Sequence, residues 1–393
     1  MTDVAVAHSS LYVHGGSEHV AFELARTFDA PLFVPRADDD LVPGDVEVVE
    51  LLGKRAGAAV GRLPTLPSRI ARLPTWQTAS ELHEFDVVII AKAGPMWYIP
   101  PEDQATIAYV HSPPRNLYDR FAKTSSTDSV RGWLDAASSA AFKALFNANR
   151  VDPDVWVCNS ELVQRRLESY WNVSPTESRV VYPPVNTASF NPDAAPTRDY
   201  YLTLGRLHEH KRVDDIIHEF NRLGSDYPLV VAGDGPERDH LEAIADGHIE
   251  FRGFVDEDAK RRLYAGAKAF IMAAENEDFG MTPCEAMASG TPVLGVEDGF
   301  TEYQVVPRRT GYTFDRVPGN LAGTVRIFES RGIEWTADEI AVFAATHWDV
   351  SQFREQMRQA VNDAQERAQI TPWSASGRGE LTATALPDGG DER

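Results

Sequence analysis

Residues 275–292 read Glu275-Asn276-Glu277-Asp278-Phe279-Gly280-Met281-Thr282-Pro283-Cys284-Glu285-Ala286-Met287-Ala288-Ser289-Gly290-Thr291-Pro292, between apolar runs at 268–272 and 292–296. Each run has strand length, and what separates them has the signals of a loop followed by a short helix. The segment therefore reads as one strand–loop–helix–strand unit of a parallel sheet. Thr282 is expected to cap the helix, with Pro283 at its first position and Glu285, three residues after the cap, closing a capping box. Gly290 suits the helix exit, with Pro292 beyond it. Capping gives Glu285 a purely local role, but it does not account for Glu277, Phe279 and Gly280 upstream. A glycine-bearing loop at a helix N-terminus offers free backbone N–H groups and the positive end of a dipole, which suits phosphate or sugar oxygens. Carboxylates at Glu277 and Glu285 accept hydrogen bonds from hydroxyls of the kind a sugar or ribose carries.

The same grammar extends in both directions. Upstream lie strand-like runs at 200–204, 228–232 and 249–251, with helices near 211–222, 236–244 and 256–266. The first half opens with a strand at 3–8, a glycine loop and a helix from about Ser17 to Phe28. Further apolar runs follow at 31–34, 46–51, 86–91, 106–110, 155–158 and 179–182. Strands alternating with helices predict an α/β chain with doubly wound parallel sheets. The Pro- and Asn-rich stretch from Tyr182 to Pro196 fits neither a helix nor a sheet interior and reads as the interdomain linker. The expected organisation is one domain over 1–190, a second over 196–347, an amphipathic helix at 350–366 within the closing segment 348–366, and a disordered tail at 371–393. Tandem domains of this kind place ligands at the carboxyl ends of their strands, in a shared cleft.

Composition narrows the function. The 393 residues suit two domains, and 43% hydrophobic with 25% charged residues is a globular composition. A net charge of −21 argues against a nucleic-acid partner. Clusters such as Asp38-Asp39-Asp40 read as solvated acidic surface, as in a protein working in high salt, in preference to a cation site. Two cysteines, Cys158 and Cys284, are too few for a disulfide scaffold or a Cys-rich zinc site. No basic-then-apolar leader and no membrane-length apolar run is seen, so a cytoplasmic protein is expected.

Other constellations fall at strand ends. Arg206 and Lys211 follow the strand at 200–204, and two cations there suit a diphosphate. Gly15 and Gly16 precede Ser17, read as an N-cap, in an anion-accepting turn. His111 ends the strand at 106–110, next to Pro113, Pro114 and Arg115. Gly233-Asp234-Gly235 lacks the third glycine of a dinucleotide fingerprint, and no P-loop occurs. The window 51–80 carries Lys54, Arg55, Arg62, Arg69 and Arg72 and no acidic residue. Docking to anionic lipid is preferred for it over a basic loop paired with the acidic body, which adds the inner face of the cell membrane as a location.

Together these residues resemble glycosyltransferase family 4, retaining nucleotide-sugar transferases of the GT-B fold. The likeness rests on Glu277 and Glu285 with seven residues between, the Ala-Met-Ala-Ser-Gly-Thr-Pro-Val that follows, Gly205-Arg206-Leu207 with Lys211, and the Gly15-Gly16 loop. Tyr109-Val-His-Ser-Pro-Pro-Arg115 and Val181-Tyr-Pro-Pro-Val185 look like the mannosyltransferase branch. The resemblance implies that Arg206 and Lys211 hold the donor diphosphate, assisted by Gly16 and the amides of Gly280, Met281 and Thr282. It implies Glu285 on the ribose, Glu277 on the transferred sugar, His111 near the reacting carbon, and the turn Gly253-Phe254-Val255 against the base. Gly15 and Arg115 would face the acceptor side. It further implies no metal and no cofactor besides the nucleotide-sugar co-substrate, retention at the anomeric carbon, and a last helix returning to the first domain. Asp298-Gly-Phe-Thr before Glu302 departs from a Gly-Gly pair frequent in the family, which loosens any donor inference from that loop. The expected activity is transfer of a hexose, mannose from GDP-mannose by preference, to a lipid-linked or glycan acceptor. The alternatives are a UDP-sugar hexosyltransferase, a GT-B nucleotide-sugar epimerase, and a non-catalytic sugar-binding subunit.

Overall fold

The inner strands of the first half are short, mostly apolar and buried, as strands covered on both faces require, while the two edge strands carry Glu50, Ser178 and Arg179. In chain order its elements are β1 (Val4–Ala7), α1 (Gly16–Phe28), β2 (Leu32–Val34), β3 (Val48–Glu50), α2 (Leu73–Gln77), β4 (Val87–Ile90), β5 (Ala105–Val110), α3 (Val130–Asn149), β6 (Val155–Cys158), α4 (Glu161–Trp171) and β7 (Ser178–Val180). The computed structural model describes residues 2–13, 15–52, 73–118, 130–195 and 198–370. The basic residues Lys54, Arg55, Arg62, Arg69 and Arg72 and the tail 371–393 lie outside the described residues.

The second half continues with β8 (Tyr200–Leu204), α5 (Val213–Leu223), β9 (Leu229–Ala232), α6 (Arg238–Ile244), β10 (Ile249–Gly253), α7 (Glu257–Ala265), β11 (Ala267–Met272), α8 (Met281–Ala288) and β12 (Val293–Val296). Then come α9 (Thr301–Gln304), β13 (Gly311–Phe314), α10 (Asn320–Arg331), α11 (Ala337–Trp348) and α12 (Val350–Ile370). All described strand pairs are parallel, in the orders β3-β2-β1-β4-β5-β6-β7 and β10-β9-β8-β11-β12-β13. The chain is therefore two doubly wound α/β domains.

Alternating side chains divide between the faces of each sheet. Val4 and Val6 join one core with Ile89 and Ile107, while Ala5 and Ala7 join the opposite one with Val88 and Ile90. The second sheet splits likewise, Leu202 and Phe270 to one side, Tyr201 and Ile271 to the other. Helix α12 lies on the first domain, where Phe353, Met357, Ala360, Val361 and Ala364 are buried in its core. The two interdomain crossings run side by side: Val185 N donates to Trp348 O (3.0 Å), and Val350 N donates to Val185 O (2.9 Å). No helix among the described residues is long and apolar enough to cross a membrane.

In both sheets the strand order reverses beside the first strand, between β1 and β4 and between β8 and β11. Chains leaving neighbouring strands there turn to opposite faces and open a crevice at the carboxyl ends. The four loops that follow these strands supply most of the site, and the end of β5 adds His111.

Candidate active site

A cavity of about 550 Å³ lies between the domains, lined from the second by Arg206, Lys211, Glu277 and the start of α8, and from the first by Gly15, Gly16, Glu18, Lys92 and His111. On the second-domain side, Lys211 closes a single helical turn after β8 and its Nζ donates to Glu277 Oε2 at 2.7 Å. Burial pushes the Glu277 carboxyl up, but the charges of Lys211, His210 and Arg115 outweigh it and hold it below its ordinary range. The loop carrying Glu277 is fixed within its own domain. Asn276 N donates to Asp298 Oδ2 (3.0 Å) and Phe300 N donates to Glu277 O (2.8 Å).

Helix α8 begins earlier than the sequence signals indicate. Its N-cap is Gly280, at φ 81° and with no side chain to cap, and Met281 is its first residue. Thr282 is thus not the cap, and the capping box with Glu285 is absent. Pro283 falls at the third helical position, which needs no N–H because the first turn has no partner for one. The first amides of α8 have no partner within the helix, and Gly280, Met281 and Thr282 line the cavity. Glu285 sits farther along α8, away from that lining. Lys260 Nζ donates to its Oε1 and Tyr264 OH to its Oε2, each at 2.9 Å. Both partners come from α7.

The turn Gly253-Phe254-Val255 leaves β10, the outer strand of the sheet, apart from the cavity lining. Gly253 O accepts from Gly233 N (2.7 Å), Phe254 is 77% exposed, and Val255 packs half-buried on the second-domain core.

On the first-domain side, α1 is capped by Gly15 with no side-chain cap, correcting the reading of Ser17 as its N-cap. The tight Gly15-Gly16 entry moves the cap two residues back from Ser17. Ser17 instead donates to Glu18 Oε2 (2.9 Å) and accepts from Lys92 Nζ (3.0 Å). A Cβ on Gly16 would stand 3.1 Å from Met281 Cε, so the N-termini of α1 and α8 meet across the cleft. Lys92, just beyond β4, pairs with Glu18 at 2.8 Å, and Glu18 is almost fully buried. Sequence reasoning passed over both. The available signal was a lone lysine at the end of an apolar run, level with His111 on the neighbouring strand.

His111 stands between this cavity and a second of about 270 Å³ lined by Met96, Trp171, Pro113, Pro114 and Arg115. Its Nε2 is buried without a hydrogen-bond partner among the described residues. Burial, with the charges of His8 and Lys92 behind it, lowers its pKa to about 3. His8 is lowered to about 4 by burial and Lys92. Both rings are neutral at pH 7. Arg115 reaches back to the second domain, donating to Asn276 O at 2.8 Å. Among the described residues no three His, Cys, Asp or Glu side chains cluster to hold a metal.

Comparison with known proteins follows the two domains. The family description "Glycosyltransferase Family 4" matches residues 14–189 and "Glycosyl transferases group 1" matches 185–334. A GDP-mannose-dependent alpha-(1-6)-phosphatidylinositol dimannoside mannosyltransferase of Mycobacterium tuberculosis is 35% identical over 144 residues, 35% of this chain and 37% of the relative. A GDP-mannose-dependent alpha-mannosyltransferase of Mycolicibacterium smegmatis is 33% identical over 127 residues, 32% of each chain. The match thus spans about a third of the length of these relatives. Among solved structures, Anabaena HepE in complex with UDP and glucose has a TM-score of 0.68 at 15% identity, covering 92% of this chain and 100% of its own. Sucrose-phosphate synthase from Thermosynechococcus elongatus has a TM-score of 0.71 at 15% identity, covering 92% and 98%. At that identity the likeness is one of fold, and the fold is GT-B.

Proposed function

We propose that the chain is a glycosyltransferase of family 4 and that it moves a hexose from a nucleotide-sugar, GDP-mannose by preference, to a lipid-linked or glycan acceptor. One observation carries the reading: the cavity is walled by Arg206, Lys211, two helix N-termini and the carboxylate of Glu277, and so matches a diphosphate joined to a polyhydroxyl ring. The GDP-mannose dependence of two mycobacterial relatives supports mannose, and the phosphatidylinositol dimannoside in the name of one supports a lipid-linked acceptor.

In this reading Arg206, Lys211 and the α8 amides hold the diphosphate and stabilise the charge that builds on it as the glycosidic bond breaks. Preorganised cations and a helix dipole meet that charge without a metal. Glu277 accepts hydrogen bonds from sugar hydroxyls, and Glu285, gripped by Lys260 and Tyr264, those of the ribose. The neutral His111 offers a hydrogen bond beside the reacting carbon, where a cation would instead compete with the developing oxocarbenium. The bond from the anomeric carbon to the phosphate oxygen breaks, and a bond to the acceptor oxygen forms on the same face. The acceptor's proton passes to the departing diphosphate, with retention of configuration. The acceptor side includes Gly15, Arg115 and the smaller cavity, and the cations of the window 51–80 would attract an anionic lipid.

A thermal-shift series with GDP, UDP, ADP and their sugars, with and without EDTA, tests this. Mass action predicts a raised midpoint with one nucleotide series, GDP first, unchanged by EDTA. No shift with any of them contradicts the transferase reading, and a shift that EDTA abolishes contradicts its metal independence.

A further inference from the structure

The loop that carries Glu277 is held from the opposite domain as well as from its own. Arg166, projecting from α4, pairs with the Asp278 carboxylate and donates to Asn276 Oδ1 at 2.6 Å and to Ser112 Oγ at 3.1 Å. Arg115 donates to Asn276 O at 2.8 Å and lies 3.6 Å from Asp278 Oδ1. Ser160, the N-cap of α4, donates to Asp278 O at 2.6 Å. Three pieces of the first domain therefore converge on residues 276 and 278, and the residue between them points the other way, to Lys211 and the cavity. Arg166 has a side chain only 7% exposed, and Asp278 is 23% exposed. A half-buried carboxylate held between two guanidinium groups is costly to separate from them, and the loop has this hold only while the contact is made.

We propose that Arg166, assisted by Arg115, is a positioning residue for Glu277: it grips the neighbours of Glu277 across the cleft, so that this carboxylate is set for the donor sugar only when the domains are closed on each other. The inference rests on reading Glu277 as the contact to the transferred sugar. Of the groups assigned to the nucleotide, Arg206, Lys211, Glu285 and the α8 amides belong to the second domain and need no such grip, and Gly16 alone comes from the first. The nucleotide then binds either state, while its sugar is felt only in the closed one.

The test is calorimetric titration of the full chain with GDP and with GDP-mannose. In the wild type GDP-mannose is expected to bind more tightly than GDP. Arg166→Met should keep the GDP affinity within about twofold and lose the extra affinity due to mannose. Its turnover should fall about 10- to 100-fold, the effect of a misplaced contact at the reacting centre. Asp278→Asn, which keeps the size of the side chain, should do the same, and adding Arg166→Met to it should change little further. Arg166→Lys should recover part of the loss, because an ammonium can pair with Asp278 but lacks the fork that also spans Asn276. Folded variants that keep the mannose increment overturn the positioning role, as does equal loss of GDP and GDP-mannose. A wild type that binds GDP without any gain from mannose overturns instead the reading of Glu277 on which the role rests.

Discussion

His8 and His111 place two neutral imidazoles within the first domain's lip of the cleft, and their depressed pKa values of about 4 and about 3 make stability depend on pH. Below the ordinary value of 6.5 the unfolded chain takes up protons that the folded chain does not. Acidification through that range therefore favours unfolding, while above it both states are neutral and the contribution is flat. Each histidine adds a slope of at most about 1.4 kcal/mol per pH unit. The fall in thermal midpoint from pH 7 to pH 5 should accordingly be smaller in His8→Phe and in His111→Asn than in the wild type. An unchanged fall in both would contradict neutral, buried rings. The same lip shows why single residues were only partly legible. Arg206, Lys211 and Glu277 were found because charged residues after apolar runs stand out, and Lys92 carries the same signal at the end of β4. Arg166 carries none, since a guanidinium on a helix reads as solvated surface until the fold shows what faces it.

At the scale of elements, α12 binds the second domain's last crossing to the first domain's core. Met357 is fully buried there, Arg354 Nε donates to Glu23 Oε1 (2.7 Å), and Arg179 pairs with Asp363. Met357→Ala should cost about 2–5 kcal/mol, as expected for a buried side chain truncated in a packed core. Urea unfolding measures it, and a loss within error would mean that α12 docks only loosely. The apolar runs marked most strands because fully covered parallel strands are continuous in hydrophobicity. β13, by contrast, has four residues, two of them half-buried, and pairs on one side only. It offers no such run. The helix α11 was legible in principle, since Thr336 and Glu339 form a capping box that the sequence displays openly. α8 misled for the opposite reason: Thr282-Pro283 imitates a helix start, whereas Gly280 sets the real one through a backbone conformation that favours glycine.

For the whole molecule, the two sheets repeat one strand order, and that repetition sets two crevices face to face. The sequence pattern carried the doubly wound class, but periodicity along the chain has no information on what meets across a cleft. The meeting of Gly16 with Met281 and the grip of Arg166 on Asp278 emerge only when both domains are folded. The chain's overall charge is −21, yet Arg206 and Lys211 line the cavity, so an anionic donor has a local cationic destination in a repelling body. The most direct test is a calorimetric titration of GDP-mannose in EDTA into the wild type and into Arg206→Ala/Lys211→Ala. The account predicts binding by the wild type and at least about tenfold weaker binding by the variant, the loss expected when charge-assisted contacts to a diphosphate are removed. Equal affinity in the two proteins, or no binding by the wild type, would contradict a nucleotide-sugar site in this cleft.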